Sequence, residues 1–573
     1  MRTRHFATLG LLLAFAATSV LSAPPATADP QPFGPSPWLV RDTVSGTGSS
    51  TVNRGVVLGG LFVYAQHTPG YGIEPWVSDG TTAGTRLLVD IVPGATSSNA
   101  NNLVRVGSWV FFTAQLPATG TELWVTDGTA TGTRLVEDLE PGPDGSGIFK
   151  PVAAGDRLFF NADTTGSGRE LWISDGTEAG TQVVEEINPA GAHANPLNVT
   201  AVGSRVAFTA LSAVGGREPW ISDGTPAGTH RIGDINPSGD SAAGDFVALG
   251  DAVLFRAASA GDNPELYRWP GTGLVSSQVK DIYPGGAVGG EPRDLAVHGG
   301  RVYFSARHPD TGTELWTTDG TEAGTHLIQD LLPGPGNGQP HDLVWVGGRL
   351  YFEAADSATT SGLFTTSGTA AGTRLVKRLT VGGAEAFASN LRAAGDRVLF
   401  KVFVPDPVSE SLWISDGTPA GTTSLLTITH PDAMVWTADT GTGTAFVNVR
   451  HPSTGEEVWA YTWRTSTTLV TAKKKWSAKK ARKRRIKLTV QVAATGATPD
   501  GTVTIWAQRK GKSLKKKQKR IRLVGVGTVV DGAARVRIGK RLKPGRYRIT
   551  ARYAGSPEAA SSTSAQVRIK VKR

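Results

Sequence analysis

One stretch, Glu170-Leu171-Trp172-Ile173-Ser174-Asp175-Gly176-Thr177-Glu178-Ala179-Gly180-Thr181, recurs with small changes along most of the chain. No other feature limits the fold as tightly. The central aromatic falls at Trp76, Trp124, Trp172, Trp220, Tyr267, Trp316, Phe364, Trp413 and, in a degraded copy, Trp459, in steps of 48, 48, 48, 47, 49, 48, 49 and 46 residues. A period of that size marks one supersecondary unit repeated as a propeller blade or a solenoid coil.

The residue types explain themselves locally. The Asp (Asp79, Asp127, Asp175, Asp223, Asp319, Asp416) can accept from backbone amides two residues ahead, the following Gly permits positive φ, and Thr suits the extended strand beyond. Asp-Gly between apolar runs is a hairpin signal. The aromatic, three residues earlier on the incoming strand, is placed to wedge against a neighbouring repeat. Repeated Trp, Asp and Thr are therefore read as structural.

Each repeat divides into four short strands with turn residues between them and no helical periodicity; in the second copy these are 102–106, 109–114, 122–126 and 133–139. Four-stranded units of this length suit blades around a channel, because radial repetition leaves only short, protected edges. A β-solenoid is the lesser alternative, since its coils are shorter. Ring closure is also legible. Trp38-Leu39-Val40-Arg41-Asp42 resembles a fourth strand with no first three before it, while residues 433–437, 444–449 and 457–462 resemble three strands lacking a fourth. Eight motif-bearing units plus this composite predict nine blades. Eight remains the alternative if the last unit, or the one around Tyr267, is not a blade.

The run Glu-Leu-Trp-x-x-Asp-Gly-Thr at 122–129, 170–177 and 314–321 resembles the signature of the ELWxxDGT-repeat proteins, a group of secreted bacterial proteins. The resemblance implies a propeller over roughly residues 35–470, and export, but no agreed activity. The hairpin is also similar in logic to the Asp-box of sialidases and sortilin-type propellers. Departures are Pro75 and Pro219 in place of the Leu, Ser367 in place of the Asp, and Pro270-Gly271-Thr272 after Tyr267.

The ends of the chain differ from its middle. Arg2 and Arg4 precede an apolar run from Phe6 to Leu21, and Ala26-Thr27-Ala28 stands before Asp29, the pattern of a signal peptide over residues 1–28. No Cys is present, which excludes disulfides, thiol catalysis and cysteine metal sites. From Lys473 onward there are 31 Lys and Arg against three acids, leaving 28 basic and 46 acidic residues before it, so an acidic propeller precedes a basic tail. Residues 471–486 form a basic linker, and 487–573 alternate as six or seven strands, as in a β-sandwich of immunoglobulin type. Gly501 to Ile505 and Gly545 to Ser556 resemble the bacterial Ig-like domains that repeat on cell-surface proteins. Such a domain draws polyanions by long-range attraction and counterion release. Its densest patches are Lys479, Lys480, Arg482, Lys483, Arg484 and Arg485, and Lys515, Lys516, Lys517, Lys519 and Arg520. The expected partners are anionic cell-envelope polymers or extracellular polyanions; a mate for the acidic propeller is the competing reading.

In a meander, the Asp-Gly turns share a face with the turns at Gly299, Gly347 and Gly395. The opposite face carries the loops that vary, and variable loops on a rigid scaffold are where binding sits. His67, Tyr71, His308, Asp310 and His451 are the non-repeating residues there, the candidates for an unknown glycan or protein ligand. Motifs for zinc peptidases, serine hydrolases, phosphate-binding loops and calcium loops are lacking. No cofactor is expected; the acids at Pro143-Asp144-Gly145 and Ser238-Gly239-Asp240 allow at most weak Ca²⁺ binding. Arg86, Arg134 and Arg374 repeat in register, which favours a structural role over a sialidase-like cluster. The expectation is a secreted, non-catalytic binding and adhesion protein of the bacterial envelope, tethered by its basic domain. The alternatives are a carbohydrate-active enzyme, sialidase-like or lyase-like, and a structural matrix component.

Overall fold

A computed structural model describes the chain from residue 37, apart from short stretches of which the longest are 429–435, 477–486, 495–500, 511–520, 538–544 and 554–561. Residues 1–28, expected to be a signal peptide, and both dense Lys/Arg patches lie outside the described residues.

The repeats fold as nine four-stranded antiparallel sheets among the described residues. The second is Asn101–Val106, Trp109–Leu116, Gly120–Thr126 and Arg134–Glu137, paired in that order. First strands of successive sheets touch one another all the way round, and that of the first sheet (Val56–Leu58) touches that of the ninth (Trp436–Asp439). The sheets are thus blades of a closed nine-bladed propeller with first strands innermost, which settles the choice between eight and nine.

Closure is made by the composite blade. Trp38–Leu39 pairs with Gly455–Thr462, Trp38 facing Ala460 and Leu39 facing Trp459. The ribbon is further tied by Val40 N–H to Val458 O (3.0 Å) and by Trp38 Nε1–H to Gly80 O (3.2 Å).

The core is distributed between blades. Nine hydrophobic clusters each bridge one neighbouring pair; the one at the junction unites Phe62, Tyr64 and Trp76 with Phe446, Val458 and Ala460. In every blade the motif aromatic packs towards the preceding blade, Trp316 among Leu254, Leu266 and Phe304, and Trp413 among Tyr351 and Leu363. The wedge expected from the sequence is present. Cations on the outer strands add polar latches to the next blade's turn: Arg134 to Gly176 O (2.6 Å), Arg374 to Gly417 O (2.7 Å) and Lys377 to Thr422 O (2.7 Å). The register of these arginines reflects that role.

The C-terminal residues form a sandwich around Leu488, Val490, Ile505, Tyr547, Ile549 and Ile569. A three-stranded sheet, Ser466–Thr471, Lys487–Ala494 and Ala533–Arg537, faces a larger one built on Gly501–Lys510, Gly545–Tyr553 and Val567–Val571. Ser466–Thr471, which straddles the expected boundary at 470 between propeller and linker, pairs with Lys487–Ala494. The period of 48 residues ends before it, so the repeat could not place it.

Candidate functional site

The repeated turn is built as its residue types require. Asp319 Oδ1 accepts from Thr321 N–H (3.0 Å) and Thr321 Oγ–H (2.7 Å), and Gly324 N–H donates to Thr321 Oγ1 (3.0 Å). The Thr hydroxyl first, and the backbone amide second, hold the carboxyls of Asp127, Asp175 and Asp319 below their usual range. Gly320 has φ +88°, and a Cβ on Gly324 would stand 1.9 Å from Asp319 Oδ1. The carboxylate is spent on its own turn. Ser367, in the copy that lacks the Asp, keeps the turn through Thr369, whose hydroxyl accepts from Gly372 N–H (3.1 Å).

The motif's glutamate has a second structural role that the sequence did not reveal. Glu74, Glu122, Glu170, Glu218, Glu314 and Glu457 are fully buried, with Glu265 nearly so. Glu314 accepts three backbone amides of the loop to the next blade: Leu331 (3.0 Å), Leu332 (3.3 Å) and Gly338 (2.8 Å). Glu170 takes those of Ile187, Asn188 and Ala194. In the ninth blade the loop is replaced by the N-terminal ribbon, and Glu457 Oε1 accepts Thr43 N–H (3.2 Å) and Val44 N–H (3.1 Å). Burial pushes the carboxyls of Glu122, Glu170, Glu314 and Glu457 up to about 7, against the opposing pull of their hydrogen bonds. The available signal was the near-constant offset from Glu to its loop partners, 17 and 24 residues at Glu74 and Glu314 and 17 and 25 at Glu265.

The variable face carries the candidates named above. His67 is exposed near the end of Leu61–Thr68, and Tyr71 is exposed in the following turn. His308 and Asp310 meet, Nδ1 to Oδ2 3.9 Å, and His451 Nδ1 lies 2.8 Å from Ser453 Oγ. The rings of His308 and His451 rest near Trp316 and Trp459, at 6.0 and 5.4 Å. These residues occupy equivalent hairpins on different blades, and the structure does not gather them into one site.

Variation converges nearer the axis. The innermost strands begin with a bulge in which Asn102, Lys150, Asn198, Asp245, Asp294, Asp342 and Asn390 take left-handed φ between 46° and 55°. Asn and Asp tolerate that conformation best. Register then sets variable pairs at the rim: Phe149 opposite Asn161, Leu197 opposite Thr209, Gly244 opposite Arg256, Arg293 opposite Ser305 and His341 opposite Glu353. Blades five to seven are charged there. His341 Nε2 lies 3.4 Å from the buried Glu353 Oε2, a contact that raises the imidazole to about 9 against burial. Burial raises Asp294, with nearby Asp342 and Asp245 adding to it and His341 opposing.

Blades three and four are apolar at the same level. A cavity of about 400 Å³ opens between them, lined by Ile148, Phe149, Asn161, Arg169, Pro196 and Leu197 among others. Phe149 and Leu197 expose 46% and 39% of their surface, while Asn161 exposes 2%. Asn161 Nδ2 donates to Pro196 O, and its Oδ1 has no partner among the described residues. Arg169 is committed to Gly147 O (2.9 Å) and to Asp163 (3.1 Å). Among the described residues no group of three or more His, Asp or Glu is placed to hold a metal. Asp240 Oδ1 accepts Arg217 N–H (2.7 Å).

Fold and site together define an all-β chain, a propeller followed by an Ig-like sandwich. Residues 477–572 match the bacterial Ig-like domain (group 3), so the C-terminus holds a domain of that family. No curated protein matches the chain. Among solved structures, a prolyl endopeptidase, one of two analysed together, matches 80% of this chain and 56% of its own, at 11% identity and TM-score 0.39. A puromycin-hydrolysing peptidase of Mycobacterium tuberculosis covers 66% of this chain and 62% of its own, at 14% and 0.34. The β-propeller domain of the Trilobed protease from Pyrococcus furiosus covers 66% and 98%, at 11% and 0.34. The chain therefore spans less than two thirds of the first two. These likenesses carry no activity to this chain, but they correct one expectation. Similar propellers occur in hydrolytic proteins, so the architecture does not mark the chain as a non-catalytic adhesion protein, and that reading is withdrawn.

Proposed function

We propose that the propeller handles an extended peptide at the opening between its third and fourth blades. The observation that carries this is Asn161: a buried carboxamide held by Pro196 O, whose buried Oδ1 has no partner among the described residues and lies beside two exposed apolar side chains. A buried acceptor without a donor is unfavourable by about 1–3 kcal/mol. A backbone N–H of a peptide supplies the donor, and its apolar side chain fills the gap between Phe149 and Leu197, a burial of about 2 kcal/mol.

The test is saturation-transfer NMR on the full chain with N-acetyl-leucinamide and N-acetyl-glycinamide. Saturation of the leucine compound, weakened by Phe149→Ala and abolished by Asn161→Leu, is expected. Equal binding of both compounds, or indifference to Asn161→Leu, would overturn the proposal. Following the same peptides for hydrolysis decides whether what is bound is also cut.

We also propose that the chain is an exported ELWxxDGT-repeat protein whose basic domain takes a polyanion. Support comes from the Arg2–Leu21 pattern and the motif copies, and from the concentration of 31 basic residues against three acids after Lys473. A mature protein beginning near Asp29 in the culture medium is the expected outcome; retention of residues 1–28 in the cell would refute export.

A further inference from the structure

The larger sheet of the C-terminal domain has one face that is unfavourable as it stands. Its strands run in the order Lys475–Trp476, Val567–Val571, Gly545–Tyr553, Gly501–Lys510 and Ile521–Val529. Val503, Ile505, Ala507, Tyr547, Ile549, Ala551, Ile569 and Val571 are buried in the sandwich. Alternation therefore turns Trp506, Gln508, Arg546, Arg548, Arg568 and Lys570 to the other face. Register sets Arg546 directly opposite Lys570, and Arg548 opposite Arg568. It continues the first of these rungs to Lys510 on one side and Lys475 on the other. Four cationic positions thus stand in line over four neighbouring strands, about 4.8 Å apart.

Like charges directly opposite on a sheet are destabilising. Here two such rungs lie side by side, with Arg546, Arg568 and Lys570 exposed and Arg548 half-buried. A phosphodiester chain removes the repulsion, since guanidinium groups match phosphate oxygens in pairs. The same face carries Trp506, half-buried, with Thr550 beside it, one rung beyond Gln508 and Arg548. An indole in line with a cation array gives a base something to stack on, and a sheet face accepts a single strand lying along it.

We infer that this face seats single-stranded nucleic acid, its phosphates on the Arg546–Lys570 and Arg548–Arg568 rungs and a base on Trp506. The inference rests on the polyanion partner proposed above and names its class and seat.

The test uses the full chain and a fluorescent oligo(dT) 20-mer, read by polarisation across a salt series. Changing Arg546, Arg548, Arg568 and Lys570 together to Gln is expected to weaken binding at least tenfold at low salt. It should also reduce the logarithmic salt slope by about 3, at about 0.7 per phosphate contact. Trp506→Leu should weaken binding without changing the slope. The two-site variant Arg546→Gln with Lys570→Gln gives half the slope change. The two glutamine variants should melt at or above the parent temperature, because like-charge pairs are removed. Suppose instead that the fourfold variant binds as the parent does, and changing Lys515, Lys516, Lys517, Lys519 and Arg520 to Gln abolishes binding. The seat is then wrong while the polyanion reading stands. Poly(glycerol phosphate) binding as tightly as the oligonucleotide, with Trp506→Leu inert, would overturn the nucleic-acid assignment. Binding of neither polymer would refute both readings.

Discussion

Glu314 offers the sharpest test of how the blades are joined. Its carboxylate is fully buried and accepts the amides of Leu331, Leu332 and Gly338, the loop that leads into the seventh blade. Glu314→Ala leaves three amides without acceptors. At about 1 kcal/mol for each net hydrogen bond, the loop should open more easily by about 3 kcal/mol. Since about 1.4 kcal/mol is a factor of ten, amide exchange of residues 331–338 should quicken roughly a hundredfold. Hydrogen exchange read by mass spectrometry checks this on peptides from that loop, with the loop after Glu170 as internal control. Glu314→Gln adds a pH test. Burial raises this carboxyl from an ordinary 4.5 to about 7, so the folded protein holds its proton between those values. The stabilisation it brings is complete below about pH 4.5 and lost as pH rises through about 7, of order 3 kcal/mol. The parent should therefore lose stability relative to Glu314→Gln over that window. Unchanged exchange in the alanine variant, or parallel pH profiles in the glutamine variant, would refute the clamp.

Three further outcomes are expected. Gly324→Ala drives a methyl group into the Asp319 carboxylate and should destabilise the sixth blade by about 1–3 kcal/mol, read as earlier proteolysis within residues 301–329. The imidazole of His341, raised to about 9 by Glu353, stabilises the fold below its ordinary value of 6.5, an effect lost as pH rises through about 9. NMR titration should show its midpoint falling towards 6.5 in Glu353→Gln. Removing residues 29–45 strips Glu457 of its Thr43 and Val44 donors and opens the composite blade, so limited proteolysis should begin within residues 436–462.

What the sequence made legible was whatever stays close along the chain or recurs exactly in period. Asp319 could be assigned to its turn because its partners are two residues away. The propeller, the composite blade and the wedge of Trp316 follow from the repeat. Glu314 stands in the same motif, yet its role lay hidden, because the loop it holds keeps a spacing but no residue pattern. The charged rim and the Asn161 cavity were invisible for a different reason. Each is assembled across blades from positions such as Phe149, Asn161 and Leu197 that carry no motif, while the histidines that stood out stay on separate hairpins. The face around Arg546 and Lys570 needed register, which a composition count cannot supply.

The composite blade has a consequence for biosynthesis. Trp38 and Leu39 are made first, but their seat on Gly455–Thr462 emerges only after more than four hundred further residues. Until then the opening blade has an uncovered flank, and Phe62 and Trp76 lack Phe446 and Val458. The ring can therefore lock only in one last act, when the oldest and youngest segments of the propeller meet.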